Sequence, residues 1–377
     1  MSQITMSELK KMNRQKVYRL IYQNGSLTKH NICSIMNISR PTATQFLDEL
    51  TANNKIYIGG KDKLAHGRPA FTYCFNPNAR ISIGVEIMAD KIKIAAVNLA
   101  GEIVKSEIIR LAFINSESYF QHASSWIKAF IFALNYDTNS ILGITLSFQG
   151  IISHDNEHIT YSKLLTNTPF KRSDFAKYFD APVSLEHDSE MATVAELWHY
   201  NQICNAVHLF INPYMGSGVI VNGSVLHTPD LSSGAIEHLT LHDNGELCYC
   251  GKNGCADAYC SVNTLERRAG KNINELFKGM HAGNVNDHRI FDEYLHDLAL
   301  LINNVQMVIP GDIIIGGLLS QYIHHDDIDR LKQMIQQIST FKEVPFEIYI
   351  GYYGSNASLV GSALMNISKY LIQEGLR

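Results

Sequence analysis

Four residues of metal-binding types lie close together in the second half of this 377-residue chain. His238 is followed by Cys248, Cys250 and Cys255, with glycines inside the cysteine segment that allow a tight loop. Three thiolates and one imidazole suit tetrahedral zinc, and four protein ligands leave no open position for catalysis. The segment therefore predicts one structural zinc ion per chain. The alternatives are Cys260 as a ligand in place of Cys255, or a cysteine-rich loop without a metal.

The composition excludes several other classes of protein. The chain is 46% hydrophobic and 18% charged, which argues against intrinsic disorder and a long coiled coil. No window approaches the roughly 18 apolar residues of a membrane span, and the N-terminal segment MSQITMSELKKMNRQK lacks the apolar core of a secretory signal. We expect a cytoplasmic protein of two or three domains without membrane insertion, in which clustered cysteines indicate a metal site rather than disulfides.

The charges divide the chain into a basic N-terminal segment and an acidic remainder. Residues 1–78 hold 11 of the 32 Lys and Arg and 4 of the 36 Asp and Glu, so their net charge is +7 and that of the remainder is −11. A small basic domain on an acidic body is typical of regulators that bind nucleic acids. The alternative is a solvated N-terminal extension.

Three helices are predicted within the basic segment. Their apolar positions recur with helical spacing, at Val17, Leu20 and Ile21, at Ile32 and Ile35, and at Ala43, Phe46, Leu47 and Leu50. The apolar residues of the second and third helices are expected to be buried. Ser39 can cap the third helix, with Pro41 in its first turn. Two short helices, a tight turn and a third helix indicate a helix-turn-helix, and the alternative is a three-helix packing unit.

The third helix and the segment after it carry side chains that suit DNA. Predicted strands at 55–58 and 71–75 flank GGKDKLAHGRP, a polar and basic wing. The N-terminal end of the third helix would enter the major groove, and the wing would reach the backbone or the minor groove. The residues expected to contact DNA are Ser39, Arg40, Thr42, Thr44, Gln45 and Arg68.

From residue 79 onwards strands and helices alternate. Three strands follow one another between residues 84 and 108, and helices and further strands continue to the C-terminus. Hairpins followed by helical crossovers predict mixed α/β sheets. We expect a DNA-binding domain at 1–78 and an effector-binding and oligomerisation domain at 79–377.

Several blocks together resemble the ROK family of bacterial repressors and sugar kinases. They are GAIEHLTLHDNGELCYCGKNGCADAYCS, NISRPTAT with HGRP, GEIV, EHDSEMATVAE and DIIIGGLLS. The resemblance covers nearly the whole chain, and its N-terminal part is similar to the winged helix of the repressor branch. It implies a two-lobed body of the actin and hexokinase type, which is RNase H-like. The lobes would lie at roughly 79–200 plus the C-terminal helix and at 201–360.

The phosphate-binding loops of the family kinases are altered in this chain. The stretch at 86–91 stands where the kinases read DIGGTK and lacks both glycines and the threonine. The stretch at 212–216 stands where they read GTGIG and contains Pro213 and Tyr214, which remove a donor and add bulk. The chain is therefore expected not to be an enzyme.

The resemblance also implies an effector pocket. Asp188 matches a family aspartate that binds a sugar hydroxyl, Asp257 stands where the zinc motif ends in glutamate, and Ala235 replaces a sugar-binding glutamate. Carboxylates around a small cavity suit a polyhydroxylated ligand. The expected effector residues are His187, Asp188, Glu237, His238, Asp257 and Gly150.

Together these features predict a DNA-binding transcriptional regulator, a sugar-responsive repressor of carbohydrate uptake or catabolism genes without kinase activity. Its expected partners are a double-stranded operator, a sugar or sugar derivative (or a protein effector), and further copies of itself in a homodimer or homotetramer. The alternatives are a ROK sugar kinase with a fused DNA-binding head, and a DNA-binding protein with a vestigial pocket.

Overall fold

The computed structural model describes residues 5–62, 70–162, 170–227 and 234–377. The helices are α1 (Met6–Asn24), α2 (Lys29–Met36), α3 (Arg40–Ala52), α4 (Glu117–Ala133), α5 (Arg172–Ala176), α6 (Asp188–His199), α7 (Asp257–Cys260), α8 (Val262–Ala269), α9 (Ile273–His281), α10 (Val285–Gln306), α11 (His325–Ile338) and α12 (Ala357–Gln373). The strands are β1 (Ser26–Thr28), β2 (Ile56–Asp62), β3 (Ala70–Phe75), β4 (Ile81–Ile87), β5 (Lys91–Asn98), β6 (Ile103–Arg110), β7 (Ile141–Phe148), β8 (Ile151–Ile152), β9 (Ile159–Tyr161), β10 (Val183–His187), β11 (Ala206–Ile211), β12 (Met215–Val221), β13 (Ser224–Val225), β14 (Asp312–Gly316) and β15 (Ile348–Ile350). Within these ranges, no helix combines the length and the apolar character that crossing a bilayer requires.

The head, residues 5–75, consists of α1 to α3 and an antiparallel sheet of order β1-β3-β2. The side chains of Thr5, Thr28 and Ser39 each accept a hydrogen bond from the main-chain N–H three residues on. These caps satisfy donors that the helix itself leaves unpaired. Glu8 completes a capping box with Thr5, which is why α1 begins well before its apolar stripe.

The apolar pattern of the head predicts its core except at one position. Val17, Ile32 and Phe46 are buried as expected, whereas Ile35 is 58% exposed, so its predicted burial is wrong. The short helix α2 buries one face, at Ile32. Ile35 lies roughly 60° around the helix axis from Ile32, and Asn37 ends the helix in a left-handed conformation before another element covers that side.

Two five-stranded sheets form the body within the described ranges. The first has the order β10-β7-β4-β5-β6, with β4, β7 and β10 parallel and β5 and β6 antiparallel to their neighbours. The second has the order β15-β14-β11-β12-β13 and the same pattern of directions. Each lobe therefore repeats one topology, a meander followed by parallel strands after helical crossovers. The predicted mixed α/β architecture is confirmed.

Helices α6 and α12 lie back to back between the two sheets. α12 packs on β4, β5 and β7, while α6 packs on β12. Gly361 of α12 permits this approach, because a Cβ there would lie 1.7 Å from the main-chain oxygen of Met191 in α6. The outer faces of the sheets are covered by α4 and α5 on one side and by α10 and α11 on the other.

The head packs directly on the body through α12. Tyr18 of α1 is 1% exposed and belongs to a core cluster that also contains Leu371 of α12. Burial, together with Tyr370 and Glu374, raises the pKa of Tyr18. Beside it, the Lys55 Nζ lies 2.5 Å from the Glu374 Oε2 just after α12. Head and body thus share one continuous core.

Candidate functional site

The four expected metal ligands lie together. One ligand atom from each of His238, Cys248, Cys250 and Cys255 lies within 4.8 Å of the others. The His238 Nδ1 is 3.7 Å from the Cys248 Sγ, and the Cys250 Sγ is 3.7 Å from the Cys255 Sγ. Tetrahedral zinc with Zn–S bonds of about 2.3 Å separates its sulfur ligands by about 3.7 Å. The donor set and spacing therefore fit zinc, and Cys260 stands outside the group.

Two glycines shape the loop that carries these cysteines. Gly251 and Gly254 have φ angles of 92° and 79°, which glycine adopts without strain. A Cβ at Gly254 would lie 1.8 Å from the main-chain oxygen of His242. The Gly251 N–H donates to the Cys248 oxygen, and the Cys248 N–H donates to the Lys252 oxygen. This tight turn brings the cysteine side chains to the same small volume.

Tyr249 lies beside the metal ligands and was not among the expected site residues. Its hydroxyl oxygen is 3.3 Å from the His238 Nε2, and its ring centroid is 5.1 Å from that of Tyr214. Since the His238 Nδ1 faces the sulfur atoms, its Nε2 can carry the proton and donate it to the phenol oxygen. Such a contact orients a metal-binding imidazole. Its position between Cys248 and Cys250 could have identified it from the sequence, because any side chain there lies close to the expected metal ligands.

The first lobe contributes its candidates at the carboxyl ends of its parallel strands, where α/β proteins bind ligands. Asp188 begins α6 directly after β10, and Gly150 follows β7 at the same edge. The Asp188 Oδ1 accepts a hydrogen bond from the Ser189 N–H at 2.8 Å. Burial and the nearby Glu86 raise the pKa of Asp188 well above its usual range. Burial lowers the pKa of His187 to about 4, so its ring is neutral at pH 7.

The second lobe adds two more carboxyl groups, of which Asp257 is buried and Glu237 is partly exposed. The Glu237 Oε2 accepts a hydrogen bond from the Ser217 hydroxyl, and the Asp257 Oδ1 accepts one from the Met215 N–H, each at 2.7 Å. Burial and the charge of Asp257 raise the pKa of Glu237 to about 7, and burial raises that of Asp257 to about 6. Glu237 also contributes to the raised pKa of Asp188. Ser189, next to Asp188, packs against Gly216 of β12, since a Cβ at Gly216 would lie 2.7 Å from the Ser189 Cβ. Carboxyl groups from both lobes therefore lie around the same stretch of β12.

The family motif has a glutamate where this chain has Ala235, and Glu237 supplies a carboxyl group two residues later. Ala235 stands at the position of the family glutamate and precedes a 3-10 turn, Ile236–His238. The turn places Glu237 where its Oε2 accepts a hydrogen bond from the Ser217 hydroxyl. The structure thus places a carboxyl group among the effector candidates even though the glutamate of the family motif is absent.

Glu86, at the end of β4, is paired with a lysine. The Lys93 Nζ on β5 lies 2.9 Å from the Glu86 Oε2 and donates to the Ser355 main-chain oxygen at 3.0 Å. Both side chains are largely buried. The following residues form a tight hairpin in which the Met88 N–H donates to the Lys91 oxygen. Neither Glu86 nor Lys93 was expected to belong to the site, although their cross-strand pairing follows once β4 and β5 form a hairpin.

The candidate DNA-contacting residues lie at the N-terminal end of α3. Arg40 and Gln45 are exposed, and Thr42 and Thr44 are partly buried. The Ser39 hydroxyl caps α3. The Thr44 hydroxyl donates to the Arg40 main-chain oxygen and accepts from the Lys29 Nζ, each at 2.9 Å.

Glu49 of α3 makes a further polar contact with one of these candidate residues. The Gln45 Nε2 donates to the Glu49 Oε1 at 3.3 Å, and Glu49 is held by Lys10 and Arg14 of α1. Arg68, expected in the wing, lies outside the described residues.

Comparisons with known proteins agree with this architecture. The family model described as "ROK family" matches residues 82–369. The xylose repressor of Caldicellulosiruptor bescii is 22% identical over 262 residues, which cover 68% of this chain and 65% of that repressor. A solved ROK family transcriptional regulator, a homologue of Escherichia coli Mlc, superposes with a TM-score of 0.71 at 18% identity over 98% of this chain and 99% of that one. The ROK glucokinase of Streptomyces griseus, solved with glucose and AMPPNP, superposes with a TM-score of 0.66 at 17% identity over 76% of this chain and 98% of the glucokinase. The match of the family model over most of the chain shows that this protein belongs to the ROK family.

Proposed function

We propose that the chain is a transcriptional repressor that binds operator DNA through residues 1–78 and responds to a sugar or sugar derivative bound by residues 79–377. The observation that carries the proposal is the basic three-helix head, which packs on a ROK body. The ROK regulator superposes over 98% of this chain and the ROK glucokinase over 76%. The part of this chain that the regulator covers and the glucokinase does not is close to the length of the head.

The head is proposed to be a winged helix-turn-helix. Helices α2 and α3 supply the helix-turn-helix, and β2 and β3 supply the strands of the wing. Arg40 and Gln45 would read base edges, while Ser39, Thr42 and Thr44 would lie near the phosphates. Arg68 is proposed to extend the contact from the wing. One head buries too little surface for tight binding, so the operator is proposed to bind a homodimer or homotetramer.

The effector is proposed to bind where the carboxyl groups of the two lobes meet. Asp188, Glu237 and Asp257 would accept hydrogen bonds from sugar hydroxyls, with His187, His238 and Gly150 lining the site. A ligand that contacts both lobes has different affinities for the open and closed arrangements of the lobes. A population shift requires such a difference in affinity. The geometry that supports this proposal is the placement of three carboxyl groups from separate elements around residues 215–217 of β12.

The metal group is proposed to hold one structural zinc ion. His238, Cys248, Cys250 and Cys255 would fill the four positions of a tetrahedron, so the ion would add cross-links to the loop and no chemistry at an open position. By fixing His238 and Tyr249, the loop would also fix the neighbouring Glu237 and Asp257.

Two features support a regulator without kinase activity. The Lys93 ammonium group pairs with Glu86 at the end of β4, and Met88 replaces a glycine in the turn that follows. In the other altered loop, Pro213 lacks an N–H donor. Detection of a sugar phosphate above a control without protein, abolished by Asp188→Asn, would overturn this part of the proposal.

DNA selection with the full-length chain tests the main proposal. We expect a random duplex library to yield an inverted repeat after rounds of binding at physiological salt, and Arg40→Ala to lose that enrichment. Arg110→Ala, an exposed arginine at the end of β6, is the matched control and should select the same sequence. A chain from which residues 1–78 are removed and which still enriches the repeat would show that the head is not the reader.

A further inference from the structure

A cavity of about 350 Å³ lies beside the cysteine loop at residues 248–255, the metal loop, and shares one residue with the expected effector site. Its walls come from three places in the chain: Tyr214 between β11 and β12, Tyr249 in the metal loop, and the start of α7 and α8. The volume lies within the range of roughly 300–1,000 Å³ in which small-molecule ligands bind. Of the candidate effector residues, Asp257 is the one that lines this cavity.

Asp257 connects the cavity with the carboxyl groups of the proposed effector site. Its Oδ1 is held by the Met215 N–H, and within the described ranges its Oδ2 has no hydrogen-bond partner. The residue is 4% exposed and lines the cavity, so this oxygen can accept a hydrogen bond from a ligand there. The Met215 N–H that holds Asp257 and the Ser217 hydroxyl that binds Glu237 are two residues apart on β12, so the two carboxyl groups lie along the same stretch of that strand. A ligand bound through Asp257 would therefore reach both the cavity and the proposed effector site.

Tyr249 borders both the cavity and the expected metal ligand His238. Its ring lines the cavity, and its hydroxyl lies 3.3 Å from the His238 Nε2 on the side of the metal group. Cys248 and Cys250 fix the main chain on both sides of it. The Tyr214 ring meets it edge-to-face, with an interplanar angle of 70°. The two rings offer a rigid apolar surface with polar tips, which is how aromatic side chains contribute to binding sites.

The side chains that line the cavity favour a neutral, polyhydroxylated ring as the ligand. The C–H face of a pyranose packs on tyrosine rings, while Asp257 and Asn263 can pair with its hydroxyls. Arg267 at the rim is paired with Glu246, so the charged groups lining the cavity sum to a negative charge. A phosphorylated sugar would be repelled, because like charges disfavour binding in a partly enclosed site.

We propose that this cavity is a second sugar-ring subsite, and that the effector is an unphosphorylated disaccharide or two-ring glycoside. One ring would lie against Tyr214 and Tyr249, and the other would lie at Asp188 and Glu237, with Asp257 between them. This inference rests on the proposed function and names the class of its ligand. It also assigns roles to Tyr214 and Asn263, which the expected effector site did not include.

Calorimetric titration of the full-length chain tests the proposal with maltose, cellobiose and sucrose against glucose, xylose and glucose 6-phosphate. We expect one disaccharide to bind at least about tenfold more tightly than its constituent monosaccharides, and glucose 6-phosphate not to bind. Tyr214→Ala and Asn263→Ala should each weaken the disaccharide about tenfold and change monosaccharide binding less than about twofold. Phe132→Ala, an exposed aromatic residue at the end of α4, is the control and should change neither.

The outcomes separate this inference from the proposed function. Monosaccharides that bind as tightly as every disaccharide, or an affinity ratio unchanged by both Tyr214→Ala and Asn263→Ala, would overturn the second subsite. Absence of binding by all of the sugars would overturn it too. In each case, DNA selection with the same sample shows independently whether the regulator proposal stands. Disaccharide binding by a chain that selects no DNA sequence would support the subsite and overturn the regulator.

Discussion

Buried carboxyl groups hold several parts of this molecule together, and Glu196 shows how one of them works. The residue is fully buried on α6. Its carboxylate accepts hydrogen bonds from the Tyr352 and Tyr353 N–H groups at 2.8 and 3.1 Å. These bonds tie α6 to the segment that leads into α12. Burial raises the pKa of Glu196 to about 7, although both hydrogen bonds act in the opposite direction.

The raised pKa of Glu196 predicts how stability changes with pH. In the unfolded chain a glutamate titrates near about 4.3, so between that pH and about 7 the folded state binds the extra proton. The free energy of unfolding therefore falls as the pH rises through this window. Glu196→Gln does not titrate and should lose less stability than the wild type between pH 5 and 8, by at most about 3 kcal/mol.

Urea unfolding at both pH values measures this difference. Glu293→Gln, an exposed glutamate paired with Arg289 on α10, is the control and should follow the wild type. A Glu196→Gln chain that loses as much stability as the wild type would contradict the prediction.

The metal group predicts a second effect of a single residue. Cys250→Ser removes one of four ligands, and since metal binding to such a loop is coupled to its folding, both the metal and the local structure should be lost. We expect about one zinc per chain in the purified wild type, far less in the variant, and a clearly lower Tm. Cys204→Ser, an exposed cysteine outside the group, should change neither. Native protein without zinc, or a variant with unchanged Tm, would refute the assignment.

Helix α3 combines two tasks in one element. Its apolar face, with Phe46, Leu47 and Leu50, closes the core of the head, and its N-terminal half is exposed. The acidic Glu49 is held by Lys10 and Arg14 of α1, which neutralises a charge that DNA would repel. The same pairing fixes the angle between α1 and α3.

Gln45 on this helix should contribute more to the preference for the operator sequence than to the affinity for DNA in general. A side-chain amide that pairs with a base edge contributes about 1–3 kcal/mol of discrimination, whereas phosphate contacts act on all sequences alike. Gln45→Ala should therefore weaken the selected operator by that amount and leave binding to unrelated DNA nearly unchanged. Gln121→Ala, an exposed glutamine on α4, is the control. Fluorescence anisotropy with both DNAs measures the effect, and equal losses on the two would contradict it.

The elements differ in how far the sequence predicts them. Helices with a capping side chain and a regular apolar stripe, such as α3, follow from local signals, and so does the grouping of the metal ligands within one loop. β1 has three residues and exists because it pairs with β3, far along the chain, so no local pattern reveals it. The partners of Lys93 and Tyr249 also depend on the tertiary fold. The effector candidates from the first lobe could be expected at one sheet edge, but their approach to Glu237 depends on how the lobes meet.

At the scale of the whole molecule, a continuous series of packed elements joins the ligand site to the head. Asp188 begins α6, α6 packs on α12, and the C-terminal end of α12 contacts the head through Tyr370 and Glu374. Gly361 keeps α6 and α12 in close contact, so a shift of one helix is transmitted to the other. This series of contacts is a physical path for coupling between the proposed ligand site and the head.

The Lys55–Glu374 ion pair allows that measurement at the junction. Both side chains are less than a quarter exposed, so removing one partner leaves a partly buried charge. We expect Lys55→Met and Glu374→Gln each to lower the free energy of unfolding, and the double variant to lose less than the sum, with a coupling energy of about 0.5–3 kcal/mol. The exposed pair Arg289–Glu293, treated in the same way, should give a coupling below about 0.5 kcal/mol. Additive losses at the junction would show that head and body are energetically independent.

The core shared by head and body has a consequence for the layout of the DNA. A head that packs on α12 does not swing on a linker, so in the proposed dimer the body-to-body contact fixes the distance between the two α3 helices. B-DNA presents the same face every 10–10.5 base pairs or so. Inserting about five base pairs between the half-sites would turn one of them to the opposite side of the duplex, out of reach of the second head. The spacing of the half-sites is then specified by residues that never touch DNA.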